Sequence, residues 1–404
     1  MIDERKAIGA LAMQRVSISF SKHSPIMISI GILMLYNTST YMQNAYSFYV
    51  NFIFVCLVLF ACIFSSRPTR MESWSCVLSF VLAVIAFTIF DYFKEVMYIW
   101  MVQFSAIWVA FFCTVFTIYI YKTSSIHERE VFCVVMLISI LLSALATLKV
   151  LADYPLASRA ISGIGAGNEN TYALKQMGCG GYGYIYGCVT IAYAIMVKIK
   201  AGIKNKSIKY FYLACLAVLF FVIAKSNYTT AFLVTLFSAV IVFLIPRKDK
   251  IWQIAFAFAA ILILFNIDFI ITLLRDVAIS LNFEMLEHKM DLLISARNVD
   301  GNYESLSRYQ VLSKSLFEFL DHPVFGGTHY GGHSFILDLA AIMGVFSVIA
   351  FLPFIVAFRK FSRSLVVKHI GGLVIVYIII AMVDTYVDPT QLSMTFLLAP
   401  VMLM

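Results

Sequence analysis

The sequence predicts an all-α integral membrane protein of about twelve transmembrane helices, with a large extracytoplasmic loop before the last two or three. Three observations carry this. Of 404 residues, 62% are apolar and 13% charged, about half the charge of an ordinary soluble domain. Mean hydropathy is +0.90. The apolar residues fall in runs of about 20, enough to cross roughly 30 Å of hydrocarbon as a helix. These features exclude a soluble enzyme, a disordered chain and a secreted disulfide scaffold.

Apolar runs between charged breaks place spans near 25–43, 46–64, 75–93, 96–121, 131–151, 171–197, 208–224, 228–245, 251–272, 334–358, 367–387 and 391–404. The last covers roughly 21 Å at helical rise, short of a full crossing, so eleven or twelve crossings are expected. With the N-terminus in the cytoplasm, the inward segments carry about 20 of the 30 basic residues and about six of the 22 acidic ones. The net charge of +8 is therefore a topology signal and calls for no nucleic-acid partner. The polar start (Asp3, Glu4, Arg5, Lys6) before the first apolar run reads as a signal anchor. All eight cysteines lie within or beside apolar runs, with no C-x-x-C pair, and read as small packing residues.

The chain shows no internal repeat, so residues 1–404 form one membrane domain. Most loops are short, but two outward ones are not: 153–170, and 273–333, the only sizeable extramembrane piece. Within the second, residues 304–321 space Leu306, Tyr309, Leu312, Leu316, Phe319 and Leu320 along one helical face, and Pro323 stops the helix. Such a helix suits the outer membrane surface, apolar side down. Four glycines (Gly326, Gly327, Gly331, Gly332) then lead into His333-Ser334 and the next span.

His333 stands where that flexible turn enters a helix. A helix N-terminus offers unpaired N–H groups and the positive end of a dipole, favouring a bound anion and a neutral imidazole fit to act as a base. The competing reading is an interfacial histidine beside a Ser334 cap. Arg308, in the first turn of the loop helix, suits a bidentate diphosphate contact, or else is a solvated face charge. Arg159, Arg275 and Arg297 share that ambiguity, and only convergence on one site resolves it. Lys225 sits in a hairpin at the outer interface, as a functional charge or a snorkelling one. Asp338 is five residues beyond His333, about 140° round the helix, and so suits an arginine or a sugar hydroxyl better than the imidazole. Asp384 lies near the outer end of its span. No carboxylate pattern joins His322, His329 and His333, and metal binding is the weaker reading. In MGCGGYGYIYG (177–187) the glycines permit either close helix approach or a lipid groove.

Gly331-Gly332-His333-Ser334, followed after nine residues by Gly344, resembles the histidine motif shared by O-antigen polymerases and O-antigen ligases, with GGHSFILD leaning to the polymerases. SRYQVLSKSLFEFLDHPVFG (307–326) is similar to that family's arginine-bearing loop helix, and GNENTYAL (167–174) to the entry of its central helices. Asn227 stands where the family often has arginine, with Lys225 as a substitute cation. The resemblance covers about a third of the chain at motif level. It implies a GT-C-like, metal-independent glycosyltransferase without cofactor in the bacterial inner membrane, its active site facing the periplasm. The implied partners are an undecaprenyl-diphosphate-linked oligosaccharide, membrane lipid and, as a further candidate, a polysaccharide chain-length regulator. His333 and Arg308 are the implied catalytic residues. Arg159, Lys225, Asn168, Asn227, Tyr309, His329, Ser334 and Asp338 are the candidate diphosphate- or sugar-binding set. A ligase passing glycan to lipid A core would use the same constellation. A transporter, the rival of a different class, predicts repeats and deep paired charges that the sequence lacks.

Overall fold

A computed structural model describes residues 24–42, 48–94, 97–162, 169–203, 205–244, 250–280, 308–384 and 388–404, with residues 287, 290, 291 and 294. Among the described residues every regular element is helical. The first nine are α1 Ser24–Thr38, α2 Phe48–Phe64, α3 Arg67–Lys94, α4 Met97–Thr123, α5 Ile126–Asp153, α6 Ala157–Ser162, α7 Glu169–Gln176, α8 Tyr182–Ala201 and α9 Lys206–Lys225. There follow α10 Thr229–Phe243, α11 Lys250–Phe265, α12 Ile267–Ser280, α13 Arg308–Asp321, α14 Phe335–Met343, α15 Ser347–Ala350, α16 Leu352–Arg363, α17 Ile370–Val383 and α18 Pro389–Leu403. Among the described residues five helices are long and apolar enough to cross a membrane, seven if two bent pairs count as one span each, and five shorter apolar helices accompany them.

Local chemistry sets the helix ends. Ser125 and Glu128 close a reciprocal capping box on α5: the serine hydroxyl accepts the Glu128 N–H at 3.2 Å, and Glu128 Oε2 accepts the Ser125 N–H at 2.7 Å. Asn205 caps α9 through two N–H groups. Asp388 caps α18 ahead of Pro389, whose missing N–H falls where none is needed.

Three expected spans are broken. The run 171–197 divides into α7 and α8, because Gly178 turns the chain at φ +80° and the Tyr41 ring fills the space of its missing side chain. The run 251–272 bends by 72° near Asn266, whose amide donates to Leu262 O at 2.9 Å in competition with the helical ladder. Thus α12 continues to Ser280, beyond the expected loop start at 273. The run 334–358 is divided at Gly344 (φ +58°) into α14, a short 3-10 turn and α15, and bends by 41° between Ala350 and Leu352, where α16 begins. A Cβ at Gly344 would overlap Val324 O, so the loop backbone crosses the break at contact distance.

The loop helix α13 is also placed differently. Its buried stripe, Leu312 and Ser315, packs on α14, while Phe317 and Leu320 face outward. It is a layer fastened to the next helix rather than one resting on its whole apolar face.

At the centre stand α8, buried from Gly183 to Val197, and α18. Gly183 and Gly187 lie one turn apart and receive the Asp388 carboxyl and the Met394 thioether where a Cβ would stand. The glycine–tyrosine run therefore serves close helix approach. Around this core, peripheral helices turn Leu57, Phe60, Leu78, Leu142 and Phe258 outward. That surface is adverse in water at about 25 cal/mol per Å² and at ease in lipid. All eight cysteines are free.

Candidate functional site

The His333 turn is built from its cap upward. Ser334 leaves the helical region at φ −134° and accepts the Leu337 N–H at 3.0 Å, starting α14. Its hydroxyl donates in turn to Ala381 O at 3.2 Å, tying the turn to α17. One helical turn on, Asp338 points back: Oδ2 accepts the Ser334 N–H at 3.1 Å and Oδ1 the Gly332 N–H at 3.3 Å. Ser315 of α13 donates to the same Oδ1 at 2.5 Å and accepts the Gly331 N–H at 2.7 Å. Ser315, Ser334 and Asp338 are buried, whereas His333 is exposed, and no described residue hydrogen-bonds its ring.

This arrangement changes two expectations. The N–H groups around the turn are largely taken by Asp338, Ser315, Ser334 Oγ and Asp384 O, the last accepting from Phe335 N at 3.2 Å. The protein's own carboxylate thus occupies the place expected for a bound anion. Ser334 and Asp338 are scaffold, with neither side chain open to a sugar.

Asp384 links this turn to a second cluster. Its Oδ2 accepts the Tyr186 hydroxyl at 2.5 Å. Tyr186 packs on Tyr182 (4.5 Å between centroids) and Tyr228 (5.9 Å). Tyr228 donates to Ser158 O at 3.0 Å, and the Arg159 guanidinium lies 5.6 Å over its ring. Arg159 also reaches Asn227 O at 3.5 Å. A continuous path of contacts therefore runs from the His333 turn through Asp384, Tyr186 and Tyr228 to Arg159.

Asn227 is a turn residue: it adopts φ +60°, which asparagine tolerates, and donates to Pro155 O at 3.0 Å. Lys225, at the end of α9, is exposed with its ammonium 5.8 Å over Phe221. Arg308 and Tyr309 form the first turn of α13, their side chains outside the described set. Arg308 precedes Ser315 by seven residues, two helical turns, so its backbone position shares the Ser315 stripe. Asn168 and Arg297 lie outside the described residues. Arg275 pairs with Asp291 at 2.6 Å.

His329 is exposed, with Nδ1 3.2 Å from the Thr328 hydroxyl. Its backbone N–H and that of Thr328 donate to Glu318 Oε1 at 3.1 and 2.9 Å. Burial pushes the Glu318 carboxyl up, but these two donors and the neighbouring His329 and His322 outweigh it and hold the group below the usual carboxylate range. Sequence reasoning missed Ser315, Tyr186 and Glu318 as members of this assembly and left Asp384 without a role. Asp384, a carboxylate closing an apolar run, carried some signal; a serine within an amphipathic helix carries none.

The chain matches no protein-family model, no curated protein and no solved structure.

Proposed function

We propose that this chain is a metal-independent glycosyltransferase, an O-antigen or related surface-polysaccharide polymerase, joining undecaprenyl-diphosphate-linked repeat units. In this reading twelve segments cross the bacterial inner membrane in a GT-C-like arrangement, the N-terminus is cytoplasmic, and the site faces the periplasm. One observation carries it. An exposed histidine stands on a turn whose backbone is fixed by buried Asp338, Ser315 and Ser334. Fixing the backbone while no described residue hydrogen-bonds the imidazole is the preorganisation a general base needs.

The chemistry follows. The acceptor sugar's hydroxyl oxygen attacks the anomeric carbon of the donor, and His333 takes the hydroxyl proton. The bond from that carbon to the diphosphate oxygen breaks, and its electron pair leaves with the polyprenyl diphosphate. Arg159, Arg308 and Lys225 are the cations to stabilise the departing charge. Arg159 is held by Tyr228 and the Asn227 carbonyl, at the far end of the path from the His333 turn.

The test is a gel profile of surface polysaccharide from a deletion strain carrying wild-type, His333→Ala or Arg159→Ala protein at equal levels. Loss of the long ladder with single-repeat material retained supports the polymerase. Loss of the single repeat as well assigns a ligase or an earlier transport step. A ladder intact in the deletion strain removes the reading for that polysaccharide.

A further inference from the structure

Lys94, the last residue of α3, belongs to no part of the site described above, yet its ammonium meets four backbone carbonyls near it. It donates to Phe325 O at 2.6 Å, Gly326 O at 2.7 Å, Gly327 O at 3.0 Å and Ile342 O at 2.7 Å. Three of these carbonyls belong to the loop after α13. The fourth is in the last turn of α14, where the break at Gly344 leaves carbonyls without helical partners and the helix dipole favours a cation. The loop and the break already interlock: Gly327 N donates to Ala341 O at 2.7 Å and Val345 N to Pro323 O at 2.9 Å. The ammonium draws both backbones onto α3.

From this knot the chain reaches His333 in six residues, and each stage is tethered. Glu318 holds the N–H groups of Thr328 and His329, Ser315 that of Gly331, and Asp338 those of Gly332 and Ser334. Lys94 is the first tether and, among these, the only one from outside α13 and α14. At its other end α3 is paired through Glu72 to Lys360 of α16. A single helix of 28 residues thus spans the 41° bend, with charged contacts near both ends, and packs along α15 and α16.

We infer that α3 is a splint across the broken span and that Lys94 is a positioning residue which sets the His333 turn against the rest of the bundle. Its link to transfer rests on the proposed glycosyltransferase reading; its link to the turn does not. Lys94 touches no substrate and acts through the loop backbone.

The experiment joins two readouts on the full-length protein: amide hydrogen exchange of the peptide covering 326–338 in nanodiscs, and the polysaccharide ladder at matched protein levels. Lys94→Met is expected to raise exchange in that peptide about tenfold or more and to shorten or abolish the ladder. Lys94→Arg, which keeps charge and donors, is expected to recover part of both. Glu72→Gln, which loosens α3 at its other end but leaves the Lys94 contacts in place, is expected to raise exchange less than Lys94→Met and to shorten the ladder less. Unchanged exchange in Lys94→Met overturns the inference. So does raised exchange with a wild-type ladder, or an equal effect from Glu72→Gln. If Lys94→Met fails to accumulate, Lys94→Arg and Lys94→Gln carry the same comparison, and equal exchange in those two rejects the charge-dependent tether. If His333→Ala leaves the ladder intact, the polymerase reading falls, and the exchange arm alone decides on the tether.

Discussion

Asp338→Asn changes one atom at the centre of the His333 turn, and the geometry fixes the direction of its effect. The carboxylate accepts three donors: the Ser315 hydroxyl at 2.5 Å, the Gly332 N–H at 3.3 Å and the Ser334 N–H at 3.1 Å. An asparagine has one accepting oxygen. Turned to keep Ser315 and Gly332, it sets its NH₂ against the Ser334 N–H; flipped, it sets the NH₂ against the other two. Each orientation loses at least one charge-assisted bond, about 1.5–3 kcal/mol, and leaves a buried donor unmet, about 1–3 kcal/mol. Relief of the buried charge returns part of this, because Asp338 is only 4% exposed. A net loss of about 3 kcal/mol remains, roughly a hundredfold in the opening equilibrium of the turn. Amide exchange at Gly332 and Ser334, compared with amides in α8, measures it directly. The ladder is expected to fall although His333 is intact. Exchange within threefold of wild type, or a normal ladder from a loosened turn, would refute the scaffold assignment.

Acidification should loosen the neighbouring loop. The Glu318 carboxyl is held below its ordinary 4.5, so the order it gives is fully present above that pH and is lost as pH falls through its own lower value. Exchange at Thr328 and His329 should rise in that window, and Glu318→Gln should remove the pH dependence. Tyr186→Phe deletes the hydroxyl on Asp384 and should cost about 1–3 kcal/mol by thermal unfolding; it should also weaken the ladder, and a variant identical to wild type in both would uncouple the tyrosine cluster from the site. Gly187→Leu drives a side chain into Met394 and should cost about 1–3 kcal/mol or more. Gly371→Ala, with nothing within 4 Å of its new methyl, is the control, and equal melting of the two would contradict the packing. Arg159→Lys should keep less ladder than wild type and more than Arg159→Ala, since an ammonium supplies charge but not a planar fork.

The bundle was legible in the sequence because hydrophobic run length is a one-dimensional quantity; each expected span has an apolar helix or bent pair at its place. The breaks were not. Gly178, Asn266 and Gly344 sit inside runs whose hydropathy continues across them, and each break depends on a partner far along the chain or on a competing local bond, such as Tyr41 at Gly178 or Val324 O at Gly344. His333 was legible because glycines before a helix start mark a turn. The role of Asp338 was not: the angle from His333 argued correctly against the imidazole, but its actual partners are backbone N–H groups, which leave no mark on side-chain spacing. Ser315 lies 23 residues from the aspartate it meets. Arg159 joins the same path through Tyr228, just before α10, and Tyr186 of α8, residues 42 apart in the chain.

The presence of Asp338 at the start of α14 bears on how a diphosphate would be held. A vacant helix N-terminus binds phosphate through several N–H groups at once. Here a carboxylate fills that place, and a second negative group there would meet it across a few ångströms of low dielectric, at a cost that rises steeply with burial. Diphosphate binding in the proposed reaction must therefore fall to side-chain cations standing away from the turn. Arg159 fits that requirement: its guanidinium lies over Tyr228, separated from Asp338 by Tyr186 and Asp384. The anionic end of the turn and the cationic end of the path are then complementary. In the proposed reaction the leaving diphosphate is drawn toward the arginine and away from the carboxylate beside the His333 turn.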